Sequence, residues 1–376
     1  MKITELELFH IAIPFVEPYK LSKVYGTLDD AHAVILKMRT DKGIIGLGEA
    51  DPMNPFTEET PGSVMAVLRD QIGPLLIGRD PTQIACIESF LDQAVHGQLM
   101  VRGAINMALY DILGKVHRLP AHVFLGGCCH EKLPLLGPVG SGTPEEDAES
   151  IESLIQQGYR TVMLKMGALS IAEEIKRTIS AIKRFGERIS IILDPNQGWQ
   201  LKEAMAFIEG IRGFYPDMLE QPIGRSDLKG LQKIRNAIPC LLSVDESLIS
   251  VQDSVAIIDH GAADVFSIKV SKNGGLTKSL WLAKVAEAFG IKCFMNSMLE
   301  FGVTQAASVQ LGCSLNNLVE GGHAYMSVLR MSDDVTDFDR NISNAVVSIP
   351  QGPGLGVILD EKKLQSYTQE YVQIVG

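Results

Sequence analysis

The chain has 376 residues, 46% of them apolar and 21% charged, with a formal net charge of −11. That length exceeds one small core and points to two domains, one of them large enough for a full barrel. The composition excludes a disordered chain, and the acidic balance argues against nucleic acid, which is bound through clustered Lys and Arg.

Residues 1–125 read as a small α+β domain. ITELELFHIAI and AHAVILKMRTDKGIIGLGEA alternate apolar and polar residues as strands do, with Asp41-Lys42-Gly43 as a hairpin turn. The opening MKITELELFHIAIP therefore reads as a strand and lacks the unbroken apolar core of a signal peptide. Residues 16–30, VEPYKLSKVYGTLDD, are expected to form an exposed loop, and residues 51–62, DPMNPFTEETPG, a second irregular stretch. Helical spacing follows in SVMAVLRDQIGPLL, DPTQIACIESFLDQAV and VRGAINMALYDILGKVHRL. No run of 18 apolar residues occurs, so no transmembrane helix and no membrane partner are expected.

From about residue 132 the rhythm becomes strand, helix, strand. LPLLGPVGS is the first candidate strand; Thr143 with Glu146 three residues on forms a capping box for the helix after it. Five segments then end in a polar residue, at Lys165, Asp194, Glu220, Asp245 and Lys269, in steps of 29, 26, 25 and 24 residues. Each step fits one strand, one helix and two short loops, the unit of a parallel (β/α) barrel. KCFMNSMLE (292–300) supplies a seventh strand and NNLVEGG (316–322) an eighth, shorter one. The predicted fold is α/β, with a (β/α)8 barrel over 126–344 and a capping domain over 1–125 that the C-terminal segment 345–376 closes. The six cysteines, Cys86, Cys128, Cys129, Cys240, Cys293 and Cys313, show no CxxC spacing. Reduced thiols, some of them small buried hydrophobes, fit a cytoplasmic protein.

In a parallel barrel all strands point one way, so the residues at their C-terminal ends converge on one open face. Asp194, Glu220 and Asp245 each follow an apolar run without a turn, and three converging carboxylates repel one another unless a cation lies between them. Oxygen-only donors favour Mg2+, with Mn2+ as the alternative, and the lack of nearby His or Cys argues against zinc. The bland alternative is that each acid caps a helix or pairs with a barrel lysine. Lys165 and Lys269 flank the acids; with a cation and a second ammonium nearby, their pKa is expected to fall toward about 7–8, where a lysine serves as a general base. Asn196 shares a face with Asp194. Glu246 is expected to support Lys269 and Glu300 to face the pocket or form a salt bridge, while Lys272, three residues past Lys269, falls as readily outside the barrel as inside it. Tyr25, Met53 and Phe56 are candidate residues for closing the barrel mouth, and His323 for touching substrate.

The ordered set Lys165, Asp194-x-Asn196, Glu220-Gln221-Pro222, Asp245-Glu246-Ser247 and Lys269-x-x-Lys272-x-Gly-Gly resembles the enolase superfamily, specifically its muconate-lactonizing-enzyme subgroup, over essentially the whole chain. The resemblance implies a modified (β/α)8 TIM-type barrel with an N-terminal α+β capping domain, Asp194, Glu220 and Asp245 as Mg2+ ligands, and Lys165 and Lys269 as the acid/base pair. It implies removal of the proton α to the carboxylate of a small acid through a metal-stabilised enolate, and a homo-oligomer. The subgroup resemblance favours cycloisomerisation of a muconate-like diacid; racemisation or epimerisation of an amino-acid derivative and dehydration of a hydroxy acid or a hydroxyproline-type substrate share that chemistry and are the alternatives, and an inactive binding module is the alternative of another class. Met163 stands where the family commonly has the first lysine of Lys-x-Lys, and the seventh strand lacks the histidine of the mandelate-racemase subgroup.

Overall fold

The computed structural model describes residues 1–20, 24 and 26–376. Its first strand, β1 (Ile3–Lys20), pairs antiparallel with β2 (Thr27–Thr40), and after the turn at 41–43 β3 (Ile45–Ala50) adds to the same sheet. The loop expected over 16–30 is corrected: its two ends extend the hairpin, with Tyr19 opposite Leu28. The register shifts between Pro14 and Tyr19 and the arm is largely exposed, so no inward–outward alternation marked it in the sequence. The arm rests on the barrel, where Val16 N donates to the Arg330 carbonyl at 2.9 Å and Ser332 N to that of Pro14 at 2.9 Å.

The helices follow as α1 (Pro61–Val67), a π turn over 68–72, α2 (Gly73–Leu76), α3 (Ile84–Ala94) and α4 (Leu99–His117). Most of α4 is buried, because it lies between the sheet and the barrel. Gly46 and Gly48 of β3 let the two backbones approach: a methyl on Gly48 would fall 2.0 Å from the Ala104 carbonyl oxygen. On its other side Asn106 accepts from Thr277 N at 3.2 Å and donates to Thr277 Oγ1 at 2.8 Å.

After β4 (Lys132–Pro134) the barrel runs β5 (Leu136–Val139), α5 (Pro144–Gln156), β6 (Thr161–Lys165), α6 (Ile171–Phe185), β7 (Ser190–Asp194), α7 (Leu201–Gly210) and β8 (Met218–Glu220). It continues with α8 (Leu228–Ala237), β9 (Leu241–Val244), α9 (Val251–His260), β10 (Val265–Ile268), α10 (Leu276–Ala288), β11 (Lys292–Met295) and α11 (Gly302–Gly312). Strands β5 to β11 form one parallel, curled seven-stranded sheet in chain order, with helices covering strands whose side chains are nearly all buried. Thr143 caps α5 in the expected capping box. The eighth strand expected at 316–322 is reduced to two parallel bridges, Leu318 to Cys293 and His323 to Leu135. Gly322 sits so close to Leu135 that a methyl there would lie 2.4 Å from its carbonyl oxygen, which leaves no room for a side chain at that position.

The chain then forms β12 (Ile342–Ser343), β13 (Val346–Ser348), α12 (Glu361–Tyr367) and β14 (Thr368–Val375). The Gly-Pro-Gly-Leu-Gly turn lies against α4, with Leu355 N donating to Asp111 Oδ1 at 2.9 Å, and β14 joins the N-terminal sheet beside β1. All six cysteines are unpaired, and among the described residues no helix is long and apolar enough to cross a membrane. Because α4 and β3 meet through backbone, Gly48→Ala is expected to cost about 1–3 kcal/mol or more, read as a lowered midpoint of urea unfolding. An unchanged midpoint would show that the contact yields without cost.

Candidate active site

Lys165 is the last residue of β6 and stands beside Asp194, the last residue of β7, in the parallel ladder. Its Nζ donates to Asp194 Oδ2 and, at 3.0 Å, to Asn196 Oδ1. The strand end that carries it is held from behind by Arg177, a fully buried side chain that donates to the carbonyls of Lys165 (3.1 Å) and Gly140 (3.0 Å) while paired with Asp147 and Glu174. Arg177 carries no spacing signal in the sequence, since its work is done on backbone oxygens.

Glu220 closes β8, completely buried, with Oε1 accepting from Asn296 Nδ2 at 2.8 Å and Oε2 without a hydrogen-bond partner among the described residues. Burial pushes its carboxyl well above the ordinary range, and the charges of Asp194 and Asp245 push it the same way. Asp245, one residue past β9, takes two ammonium groups: Lys269 Nζ on Oδ2 at 2.5 Å and Lys272 Nζ on Oδ1 at 2.6 Å. Burial works to raise its pKa, but the two lysines outweigh it and hold the carboxyl below its usual value. Gln221, in a left-handed conformation at φ 29°, accepts from Asp245 N and Ser247 N and so fixes the turn that aims Asp245 inward.

Lys272 thus faces the acid cluster, which decides between the two places its spacing allowed. The chain turns back after β10, with Asn273 accepting from Lys269 N, so that two lysines three residues apart reach one acid. Burial and Lys269 lower the pKa of Lys272 against the pull of Asp245. For Lys165 and Lys269 burial is again the largest single influence and acts downward, but Asp194 and Asp245 respectively, with further neighbouring acids, raise both. The expected fall to about 7–8 is therefore not what these ion pairs produce.

Glu246 is buried and its carboxyl is pushed up to about 8 by burial and by Asp245 and Asp194; its Oε1 accepts from Asn196 Nδ2 at 3.4 Å. Glu300 neither lines the mouth as an open acid nor makes a salt bridge: it accepts from Ser297 Oγ, Met298 N and Gln305 Nε2, holding the turn after β11. Phe56 lies over Lys269, its ring centroid 4.3 Å from Nζ, and Met53 is half-buried where that loop meets the first strands. Tyr25 lies outside the described residues. His323 is removed from the candidate substrate contacts: it is buried in the barrel wall, its Nδ1 accepts from Met295 N at 3.2 Å, and its ring stacks on Phe294. Met163 is buried near Lys165 and offers no polar atom of its own beyond sulfur.

The strand ends therefore bring Asp194, Glu220 and Asp245 side by side, yet among the described residues no three His, Cys, Asp or Glu groups converge closely enough to share one metal ion. Asp194 and Asp245 are turned to ammonium groups, which neutralise them at short range. The donor set nonetheless fits a hard divalent cation: all ligand atoms are carboxylate oxygens, and Glu220 keeps a buried oxygen with no hydrogen bond to satisfy it.

A two-part chain with this barrel and these strand-end residues defines an enzyme of the enolase type. Residues 3–126 match the N-terminal domain of the mandelate racemase / muconate lactonizing enzyme family and residues 146–363 match the enolase C-terminal domain-like family, so the chain belongs to that family of the enolase superfamily. It is similar to N-succinyl-L-Arg/Lys racemase of Bacillus cereus, with 32% identity over 98% of each chain. The crystal structure of that racemase superposes with a TM-score of 0.94, covering 100% of both chains. L-Ala-D/L-Glu epimerase of Bacillus subtilis is 30% identical over 95% of this chain and 97% of its own. A muconate lactonizing enzyme from Pseudomonas fluorescens complexed with muconolactone gives a TM-score of 0.92 at 30% identity, over 98% and 99%.

Barrel and cap also meet through acids. Glu49 of β3 accepts from Phe301 N at 2.8 Å and Thr304 N at 3.1 Å, and Asp51 lies buried nearby with Oδ2 unpartnered among the described residues. Burial, then Glu300 and Glu49, push the Asp51 carboxyl well above its ordinary value, and burial pushes Glu49 to about 8. Protons held by the folded protein and released on unfolding give stability that is complete below the unfolded pKa of about 4 and is lost as pH rises toward 8. The melting temperature is expected to fall between pH 5.5 and pH 8, and Asp51→Asn to flatten that slope by up to about 1.4 kcal/mol per pH unit. Parallel slopes in the two proteins would remove Asp51 from the account.

Proposed function

We propose that this enzyme removes the proton α to the carboxylate of a small organic acid and returns a proton to the same carbon, as a racemase or epimerase. The observation that carries it is the placement of Lys165 and Lys269 on the second and sixth strands of the seven-stranded sheet, each paired with a different acid of the same cluster. A carbon held between the two ammonium-bearing chains presents one face to each.

Asp194, Glu220 and Asp245 would hold Mg2+, whose charge, when it is bound, stabilises the negative charge that gathers on the substrate carboxylate as the proton leaves. The lysines do the rest. Once Asp194 and Asp245 are engaged elsewhere, burial is left as the dominant influence on Lys165 and Lys269, and it favours the neutral amine that a base requires. Asn196 accepts from Lys165 and steadies its Nζ, while the ring of Phe56 covers Lys269 and excludes water from it.

Cycloisomerisation is the second reading, favoured by Met163: without the lysine that the family commonly has there, one face of the carbon is served less well than the other. The relatives include both kinds of enzyme.

In deuterated water with Mg2+ and a panel of N-acylated amino acids and unsaturated diacids, exchange of the α-hydrogen is expected. Lys165→Ala and Lys269→Ala should each abolish exchange in one stereochemical series, by about 10²–10⁴-fold. Loss in both series from one substitution alone supports the cycloisomerase reading, and no exchange with any acid defeats both. Mg2+ should also raise the melting temperature, an effect that Glu220→Gln removes; exchange that persists in excess chelator would refute the metal assignment.

A further inference from the structure

Away from the acid cluster, the cap sheet carries two histidines in contact. Phe9 and Ile11 of β1, with Ala31 and Ala33 of β2, pack toward Leu299 and Phe301 of the barrel. His10 and His32, which lie between them in the chain, therefore stand on the face of the sheet turned away from the barrel. His10 Nε2 lies 3.1 Å from His32 Nδ1, with the ring centroids 5.3 Å apart. On its other side, His32 Nε2 lies 3.1 Å from Asp30 Oδ1. That carboxylate holds a proton on Nε2 and leaves the Nδ1 lone pair turned to His10. Burial, and then His32, lower the pKa of His10 against the pull of Glu370, so near neutral pH the His10 ring is uncharged.

Glu370 of β14 stands directly opposite His10 in the antiparallel ladder, so its side chain rises from the same face. Arg69, the cation beside Glu370, is committed to Asp70 through two hydrogen bonds of 2.7 Å. Two imidazoles and a carboxylate therefore share one patch, with a second carboxylate behind one of the rings. Zinc–imidazole bonds of about 2.0–2.1 Å, at angles of about 90–109°, hold two nitrogens about 2.8–3.4 Å apart. The 3.1 Å between His10 and His32 falls within that range. Metal-binding imidazoles commonly give their second N–H to a carboxylate, as His32 gives its own to Asp30. The three groups do not yet converge on one point, and Glu370, which is exposed, closes the set by a change of rotamer.

We propose that His10 and His32, completed by Glu370 and water, form a zinc site on the face of the cap sheet turned away from the barrel, with Asp30 orienting His32 from behind. The ion takes the place of the N–H···N contact: each ring tilts off the line joining the two nitrogens, and the His10 proton moves to Nδ1. Imidazole with a single carboxylate suits a borderline cation such as Zn2+, whereas the all-oxygen set at the strand ends suits a hard one, so the two sites select different metals. Bound there, the ion ties β14 to β1 and β2 at the root of the arm, where Asp30 faces Pro14 and the Pro14 carbonyl accepts from Ser332 N of the barrel.

The test titrates the full-length protein with Zn2+ near neutral pH and in excess Mg2+, read by calorimetry and by melting temperature. The wild type should take up Zn2+ beyond its response to Mg2+ and melt at a higher temperature. His10→Gln and His32→Gln should each lose that uptake, and Asp30→Asn should weaken it by about 10- to 100-fold. Glu220→Gln, which removes the response to Mg2+, should keep it, so failure here is distinct from failure of the metal assignment at the strand ends. The double substitution Cys128→Ser with Cys129→Ser should keep it too, since those exposed thiols are the competing soft donors. A wild type without a Zn2+ response overturns the proposal, as does uptake that persists in the histidine variants, which would place the ion elsewhere. Should a histidine variant fail to fold, the exposed Asp30 decides: unchanged affinity in Asp30→Asn also overturns it.

Discussion

Two sets of ion pairs in one buried mouth, Lys165 with Asp194 and Lys269 and Lys272 with Asp245, are the constraint around which the barrel is built. Parallel strands deliver their C-terminal residues to a common rim whether or not those residues tolerate one another. Here they deliver like charges to a place with little water, where an uncompensated carboxylate is costly. Each acid at the end of a strand is answered by an amine from another strand or, for Glu220, by an amide and a raised pKa. The same pairing that makes the fold tolerable holds two lysines at the mouth, the groups to which the proposed reaction assigns the proton.

The support for this arrangement lies behind it. Arg177 ties the carbonyls of Gly140 and Lys165 to the acids of α5 and α6, Gln221 fixes the turn before Asp245, and Asn273 fixes Lys269. Each side chain spends polar atoms on main chain, so the strand-end groups inherit their positions from the backbone and do not depend on their own rotamers alone.

The period of the polar strand ends was readable because barrel strands are buried on both sides, so an apolar run that stops at a charged residue is a signal. The helices were readable from their spacing and, at Thr143, from a capping box. Lys272 was not, because its distance from Lys269 along the chain says nothing of the turn after β10 that folds both onto one acid. The arm at 16–20 and 26–30 was not, because exposed pairing with a shifted register leaves no alternation to detect. Glu300, in sequence a pocket acid or a salt-bridge partner alike, is consumed by its own turn, and His323 is spent on the wall of the barrel. In each case the local partner, a backbone amide a few residues away or across the sheet, is invisible to composition and period.

The hairpin arm ties distant parts of the chain together. Tyr19 belongs to a strand whose other end is clasped between β2 and β14, so one continuous ribbon runs from the outer edge of the cap to the lip of the barrel. The last eight strand residues of the chain, Thr368–Val375, thereby hold the inner half of the same strand whose outer part, at Pro14 and Val16, is hydrogen-bonded to the barrel.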